Sequence, residues 1–399
     1  MQIQHHPLDA HASGTSPTVT SLHFGRAGRR AVLQCSLHAD EIPPMLVAQH
    51  LRRRLTALEA AGQLSGEIVL LPACNPIGLT QQVWGRLQGR FDLASGQNFN
   101  RHYPALAEGA ARRFAATAGT LGEDAPANAA ALRAALLEEL AAQPALGLLQ
   151  QLRHTLMRLA LPADVLLDLH CDNEAVLHLY ATPEHESTAL QLGRSLGAPL
   201  LLLANESGDS PFDEALSGVW PQLRARLGPQ VPLACFAATV ELRGEADVSH
   251  ALAAADAQGL LHFLQHQGFV RDLHEADVAA SSLPAPAPAS APACAPAPAS
   301  APAPAPAPDC AARPLAGCMP LVAPFTGLLA WRVAVGQWVS AGQPLVDLIC
   351  PTSGRSETLA SSVDGLLFAR ELQRWARTGQ SVAKVAGQEA RRSGKLLSA

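Results

Sequence analysis

Between Ser281 and Pro314 the chain alternates alanine and proline with a few serines, and no other feature restricts its folding so severely. Proline withholds a backbone donor and alanine has little side chain to bury, so such a run cannot build a core. It is expected to be extended polyproline II, a semi-rigid tether of about 3.1 Å per residue. The 399 residues also exceed one ordinary domain. Two units are therefore predicted, residues 1–278 and 315–399, joined by a linker over 279–314.

Residues 1–278 alternate short β-rich apolar runs with helical patterns, which predicts an α/β fold with helices on both faces of a sheet. Strands are expected at Ala31–Leu37, Glu67–Pro72, Asp164–Leu169, Leu200–Leu203 and Ala238–Leu242. Pro43 and Pro44 suit the first turn of a helix, and Met45 to Ala61 carries helical periodicity with Arg52, Arg53 and Arg54 toward solvent. The Ala/Leu-rich stretch from Asn128 to Ala160 predicts one or two helices broken near Pro144. Beyond the tract, short β runs are punctuated by glycine. Ala323-Pro-Phe-Thr-Gly327-Leu-Leu and Val335 to Leu345 are echoed by Ser362-Val-Asp-Gly365-Leu-Leu and Arg377 to Val382. That internal repeat predicts a small all-β sandwich with two-fold symmetry. It resembles the biotinyl/lipoyl fold, but its hairpin Cys350-Pro-Thr-Ser-Gly-Arg-Ser356 holds no lysine to which a cofactor could be attached.

Composition narrows the function classes. Apolar residues make up 48% of the chain, yet no uncharged apolar run approaches the roughly 18 residues that cross a bilayer. Met1 to Ser16 is polar and His-rich, without the pattern of a secretory signal, so a cytoplasmic location is expected. A net charge of −5 gives no long-range attraction for nucleic acid or anionic lipid, and neither is expected as a partner. Eight cysteines without a C-x-x-C pair predict reduced, mostly packing thiols.

Four short elements carry chemistry. His38-Ala-Asp-Glu41 sits where the first core strand ends and a helix begins, at the sheet edge where open α/β sheets place ligands. Its imidazole and carboxylate can both reach a zinc ion at about 2.0–2.2 Å. Alone, H-x-x-E is weak, and Asp40 capping a helix beside a surface histidine is the simpler account. Asp164-Val-Leu-Leu-Asp-Leu169 then delivers Asp168 and His170 to the end of another strand, and residues two apart on a strand share a face. Two His and one Glu with an open fourth position make a catalytic zinc set, whereas a closed shell would be structural. His178 competes for the third ligand position, but its flanking leucines favour a packed residue. Asn100 and Arg101, in Gln97-Asn-Phe-Asn-Arg101, can hold a substrate carboxylate, with Arg90 as a further anion donor. Each taken alone would be a loop arginine in a surface ion pair. Glu241 ends the apolar run Ala238-Thr-Val-Glu241. Beside a metal it is the best general base, ahead of Glu245, and without one it would simply pair with Arg243.

The series His38-Ala-Asp-Glu41, Asn75-Pro-Ile-Gly78, Arg90, Asn98-Phe-Asn-Arg101, Asp168-Leu-His170 and Thr239-Val-Glu241 resembles the succinylglutamate desuccinylase/aspartoacylase family, which belongs with the zinc carboxypeptidases. The resemblance spans about residues 25 to 250, in order, and a small β domain after the catalytic one fits it too. It implies a carboxypeptidase-like mixed sheet and one Zn2+ held by His38, Glu41 and His170. It further implies Glu241 as general base and acid, and Asn100, Arg101 and Arg90 at the substrate carboxylate or reacting carbonyl. Three departures stand out. The family has Asp-Leu-Asn-Arg where this chain has Asn98-Phe-Asn-Arg101, so a carboxylate that would support a metal-bound histidine becomes a neutral amide. Ala39 replaces a common glycine. No tyrosine follows Tyr180, so the late tyrosine that covers the substrate has no counterpart.

The expected function is zinc-dependent hydrolysis of the amide bond of an N-acyl amino acid or a similar carboxylate-bearing small molecule. A carboxypeptidase acting on peptide C termini and a non-catalytic metal-binding protein are the alternatives. Homo-oligomerisation is left open.

Overall fold

The computed structural model describes residues 1–8, 16–117, 119–273 and 310–397. Its larger unit is built on a nine-stranded mixed sheet. In spatial order the strands are Gln2–Pro7, Thr18–Gly25, Glu67–Leu71, Arg30–Cys35, Val165–Asp172, Phe236–Gly244, His178–Ala181, Leu200–Leu203 and Ala311–Pro314. The four strands from Glu67–Leu71 to Phe236–Gly244 run parallel, so their carboxyl ends share one edge. Thr18–Gly25 and His178–Ala181 flank them antiparallel.

Alternation along each central strand decides which layer it meets. On Val165–Asp172, Val165, Leu167 and Leu169 face the helices Pro43–Ala60, Glu186–Leu196 and His250–His266. Leu166 faces the other way, toward Ala107–Ala116, Ala125–Ala142, Leu148–Ala160 and Val219–Leu227. Asp168, His170 and Asp172 share the parity of Leu166, and Thr239 and Glu241 share that of Ala237 on the neighbouring strand. Apolar positions thus fill both layers near the middle of the sheet, while the same face turns polar at its carboxyl edge.

All five expected strands are present, as is the paired helix of the Asn128–Ala160 stretch. Pro43 and Pro44 open the first long helix, where a missing N–H costs nothing. One detail differs: Arg54 is buried, not turned to solvent with Arg52 and Arg53. Successive helical residues turn by about 100°, so three in a row cannot share an exposed face. The strands Gln2–Pro7, Thr18–Gly25 and His178–Ala181 were not expected, because histidine and glutamine mask their alternation.

Residues 274–309, which hold most of the expected tether, lie outside the described residues. Ala311–Pro314 is the outermost strand of the large sheet, beside Leu200–Leu203. A proline is tolerated there because an edge strand has an unpaired side.

The carboxyl-terminal unit is all β. One sheet joins Cys318–Val322, Ser381–Ala386, Gly365–Arg370 and Trp338–Val339, and the other joins Ser356–Ala360, Pro344–Ile349, Gly327–Trp331 and Trp375–Ala376. The two-fold repeat is visible as an exchange. Trp338–Val339 of the first half pairs with Gly365–Arg370 of the second, and Trp375–Ala376 pairs with Gly327–Trp331. This unit is docked on the large sheet. Ala175, Leu200 and Leu202 pack with Leu315, Phe368 and Ala369, and the short strand Glu174–Ala175 pairs with Gly365–Arg370.

Leu167 is fully buried and lies in register between Leu33 and Ala238. Replacing it by alanine is expected to cost about 2–5 kcal/mol in chemical denaturation. A loss below about 1 kcal/mol would mean that the helical layer does not close on this strand.

Candidate metal centre and active site

The site begins with a sharp turn. Ser36 follows the strand Arg30–Cys35 with φ of +57°, a left-handed conformation that a non-glycine residue adopts only under constraint. Its amide donates to Leu169 O at 3.1 Å and its hydroxyl to Glu41 O at 2.6 Å. This turn folds His38 and Glu41 back over the end of Val165–Asp172. A second loop holds it there: Asn75 Nδ2 donates to Leu37 O at 2.8 Å, while Asn75 Oδ1 caps Gly78 N at 2.9 Å. The Asn75-Pro-Ile-Gly78 motif is therefore a brace for the His38 turn.

His38, Glu41 and His170 converge, each offering one ligand atom within 4.8 Å of the others. Glu41 Oε1 lies 2.8 Å from His38 Nδ1 and Glu41 Oε2 lies 2.8 Å from His170 Nδ1. All three residues are at most 5% exposed. The far nitrogens are occupied by acceptors: His38 Nε2 is 2.8 Å from Asn98 Oδ1, and His170 Nε2 is 3.0 Å from Asp168 Oδ2. With the proton on Nε2, each ring would turn an Nδ1 lone pair inward, the usual arrangement behind metal-ligating imidazoles. Asp168 is itself steadied by Gln34 Nε2 at 3.1 Å. The donor set fits a divalent cation in chemistry and spacing.

Electrostatics point the same way. Burial alone would push the Glu41 carboxyl up, but His38 and His170 together hold it well below the ordinary carboxylate range. Burial would lower the His170 imidazole, yet Asp168 and Glu41 raise it well above its usual value. His178 takes no part: its Nδ1 donates to Val176 O at 2.8 Å, its ring packs on Phe368, and burial lowers its pKa to about 4.

Glu241 stands in cross-strand register with His170 on one side and His178 on the other. Its Oε2 is buried without a hydrogen-bond partner among the described residues. Burial, reinforced by the charge of Glu41, raises its carboxyl to about 8. Arg90 Nη1 reaches within 3.3 Å of both Glu41 Oε1 and His38 Nδ1. Asn98 and Asn100 are placed by the loop that carries them: Asn100 N donates to Asn98 Oδ1 at 2.8 Å, and Arg153 Nη2 donates to Asn98 O at 3.1 Å. That first contact also settles which end of the Asn98 amide is oxygen. Asn100 Oδ1 accepts from Phe212 N at 2.9 Å, and Arg101 is buried beside it with Nη1 on Asn100 O at 2.7 Å.

His38, Arg90, Asn100, Arg101, His170 and Glu241 line one pocket, and Glu41 closes it behind the two histidines. The structure thus brings His38, Glu41, Arg90, Asn100, Arg101, His170 and Glu241 to one place, and leaves His178 out of it. It also adds Asp172, Tyr180, Asp213, Glu214 and Lys384 to the wall. Asp172 continues the period-two series of Asp168 and His170, so that signal was available. Asp213 and Glu214 lie in an unremarkable loop-to-helix segment; burial raises them to about 6 and about 8 respectively. Lys384 comes from the other unit, where nothing local marks it.

Residues 27–135 match the family model described as the succinylglutamate desuccinylase/aspartoacylase catalytic domain. No curated protein matches the chain. Among solved structures, a protein described as a member of that family from Shewanella amazonensis is 24% identical with a TM-score of 0.78, over 97% of this chain and 98% of its own. A similarly described protein from Shewanella frigidimarina is 22% identical with a TM-score of 0.75, over 97% of each chain. A product-bound structure of the ectoine utilization protein EutE (DoeB) from Ruegeria pomeroyi is 15% identical with a TM-score of 0.62, over 97% of this chain and 95% of its own. The resemblance read from the motifs is borne out, in sequence over residues 27–135 and in fold over nearly the whole chain, the β unit included. Among the described residues no helix is long and apolar enough to cross a membrane.

Two substitutions test the centre. Glu41→Ala should reduce the divalent metal found in purified protein by elemental analysis to a small fraction of the parent's. Stoichiometric metal in that variant would place the ion elsewhere. Asn98→Asp restores a charged acceptor behind His38 and should tighten metal binding up to about tenfold in a chelator competition, and weaker binding would show that Asn98 does not act through His38.

Proposed function

We propose that this chain, a relative of the succinylglutamate desuccinylase/aspartoacylase catalytic domains, is a zinc-dependent deacylase that hydrolyses the amide bond of a carboxylate-bearing N-acyl amino acid. One observation carries the reading above all: a buried carboxylate oxygen of Glu241 without a hydrogen-bond partner among the described residues, in register beside His170 and bordering the pocket that His38 and His170 line. A purely structural metal set has no use for such a group. Leaving a buried acceptor unpaired costs about 1–3 kcal/mol, which a working proton acceptor would explain.

His38, Glu41 and His170 would hold the ion through two Nδ1 atoms and a carboxylate. Bound there, zinc supplies a Lewis acid for the scissile carbonyl and makes water acidic enough to deprotonate near neutral pH. The protein's own groups do the rest. Glu241 accepts a proton from the attacking water and returns it to the leaving nitrogen, so that an amine and not an amide anion departs. Its raised pKa keeps acid and carboxylate forms both accessible near neutrality. Arg101, fixed by the Asn100 carbonyl, presents its buried guanidinium toward the substrate carboxylate, and Arg90, whose side chain is 41% exposed, can swing between Glu41 and the reacting carbonyl. Asp168 and Asn98 orient the two imidazoles and touch no substrate.

The test is Glu241→Gln, assayed for amine release over a panel of N-acyl amino acids and short peptides. Metal content should stay at the parent's level while turnover falls about 10²–10⁴-fold. Removing the metal with a chelator should abolish the parent's activity, and added Zn2+ should restore it. Undiminished turnover by the Gln variant would remove Glu241 from the mechanism, and cleavage of peptides in preference to acyl-amino acids would make the enzyme a carboxypeptidase.

A further inference from the structure

Of the 29 Lys and Arg residues in the chain only two are lysines, Lys384 and Lys395. Lys384 belongs to the β unit, in the strand Ser381–Ala386, yet it borders the pocket of the large sheet beside Glu241, Tyr180 and Leu315. Its ammonium donates to Asp172 Oδ2 at 2.8 Å and makes no other hydrogen bond among the described residues. An ammonium has three N–H donors. Two remain for a ligand, and 33% of the side-chain surface is still accessible. Asp172 is well placed to hold it: its own Oδ1 accepts from Asn173 N at 2.8 Å, which fixes the carboxylate, and Asp172 lies two residues beyond His170 on the same strand face. Lys384 feels the charges of Glu241 and Arg90, which places it within the electrostatic reach of the reacting groups.

A lysine has a different use here from an arginine. Its compact charge can serve Asp172 and a second carboxylate together, without the planar fork by which a guanidinium commits itself to one partner. Arg90 and Arg101 come from the loop that follows the Asn75-Pro-Ile-Gly78 brace, and Lys384 comes from a separate unit, so the pocket carries two independent cationic groups.

We propose that Lys384 is a specificity-determining residue of this pocket, supplied by the β unit and positioned by Asp172, and that it binds an anionic group of the substrate other than the carboxylate held by Arg101. The identity of that group as part of an acyl-amino acid rests on the deacylase reading, while the anion site itself does not. The β unit is then part of the active site and not an appended module.

Succinate, a plain dicarboxylate, serves as the probe, titrated calorimetrically into the metal-loaded full-length protein. Lys384→Met keeps the stem and removes the charge, and should weaken succinate binding about 10- to 100-fold. Glu174→Gln removes the ion pairs with Arg370 and Arg374 that also seat the β unit, without lining the pocket, and should change succinate affinity less than about twofold. Should Lys384→Met not fold, the unaltered protein gives the answer. With only two lysines, amine acylation read by mass spectrometry reports each one, and succinate should protect Lys384 but not Lys395. For turnover, Lys384→Met should raise KM for dicarboxylate acyl-amino acids by a similar factor while kcat changes little. The proposal is overturned by parent-like succinate binding in Lys384→Met, by an equal loss in Glu174→Gln, by no protection of Lys384, or by a parent protein that binds no succinate. Failure of the parent to cleave any acyl-amino acid would instead remove the deacylase reading and leave the succinate results standing.

Discussion

One carboxylate shared by two imidazoles governs the architecture of the large unit. Glu41 is enclosed between His38 and His170, where an unpaired charge would cost several kcal/mol. Its burial is tolerable only if both rings and the Cys171 amide, which donates to Oε2 at 3.1 Å, arrive together. His38 lies in the turn after Arg30–Cys35 while His170 and Cys171 lie at the end of Val165–Asp172, so the register between those two strands is tied to the site as well as to the core. A slip by one residue would turn His170 and Asp168 into the opposite layer and Leu169 into the crevice. The left-handed Ser36, stabilised by its bonds to Leu169 O and Glu41 O, is the local strain this closure requires.

The second unit closes the crevice by similar means. Asp172 and Glu174 extend from the strand that carries His170, and each meets a cation of the β unit: Lys384 at 2.8 Å, and Arg370 and Arg374 at 2.5 Å. Between them Glu174–Ala175 pairs with Gly365–Arg370, and Val176 N donates to Phe368 O at 2.9 Å. Phe368 then packs on His178, one strand beyond Glu241. The residues that hold the ligand set and those that seat the β unit are thus neighbours on one chain segment. Whatever displaces the β unit must disturb the floor of the pocket.

What was legible in the sequence followed from locality. Strand, turn and helix starts around His38, and the Asp168-Leu-His170 spacing, are written within a few residues of each other, and the strand ends of an α/β sheet share an edge by rule. The choice of His170 over His178 could be made from the leucines around His178, and the structure gives the reason in full: both Nδ1 and ring face of His178 are spent on Val176 and Phe368. Lys384 was invisible because its meaning depends on docking across a sequence separation of 212 residues from Asp172. The lack of a tyrosine late in the chain was legible, but Tyr180 lining the pocket from His178–Ala181 was not, since that strand's alternation is disguised by its histidine.

Departures from a familiar motif become intelligible when the partner of the changed residue is known. Ala39 stands where glycine is common, and its methyl needs room. The room is at Gly78, where a Cβ would come 2.8 Å from that methyl, and at Gly89, where a Cβ would lie 2.0 Å from Asp40 N. Gly89 O also accepts from Ala39 N at 3.0 Å, so the turn is clamped from that side as well. Asn98 works in the same way. It keeps the acceptor that His38 Nε2 requires and gives up the charge, which leaves His38 a less basic ligand while adding no further carboxylate to a crevice that already holds Glu41, Asp168, Asp172 and Glu241. In both places the altered side chain is matched by a contact distant in sequence and adjacent in space.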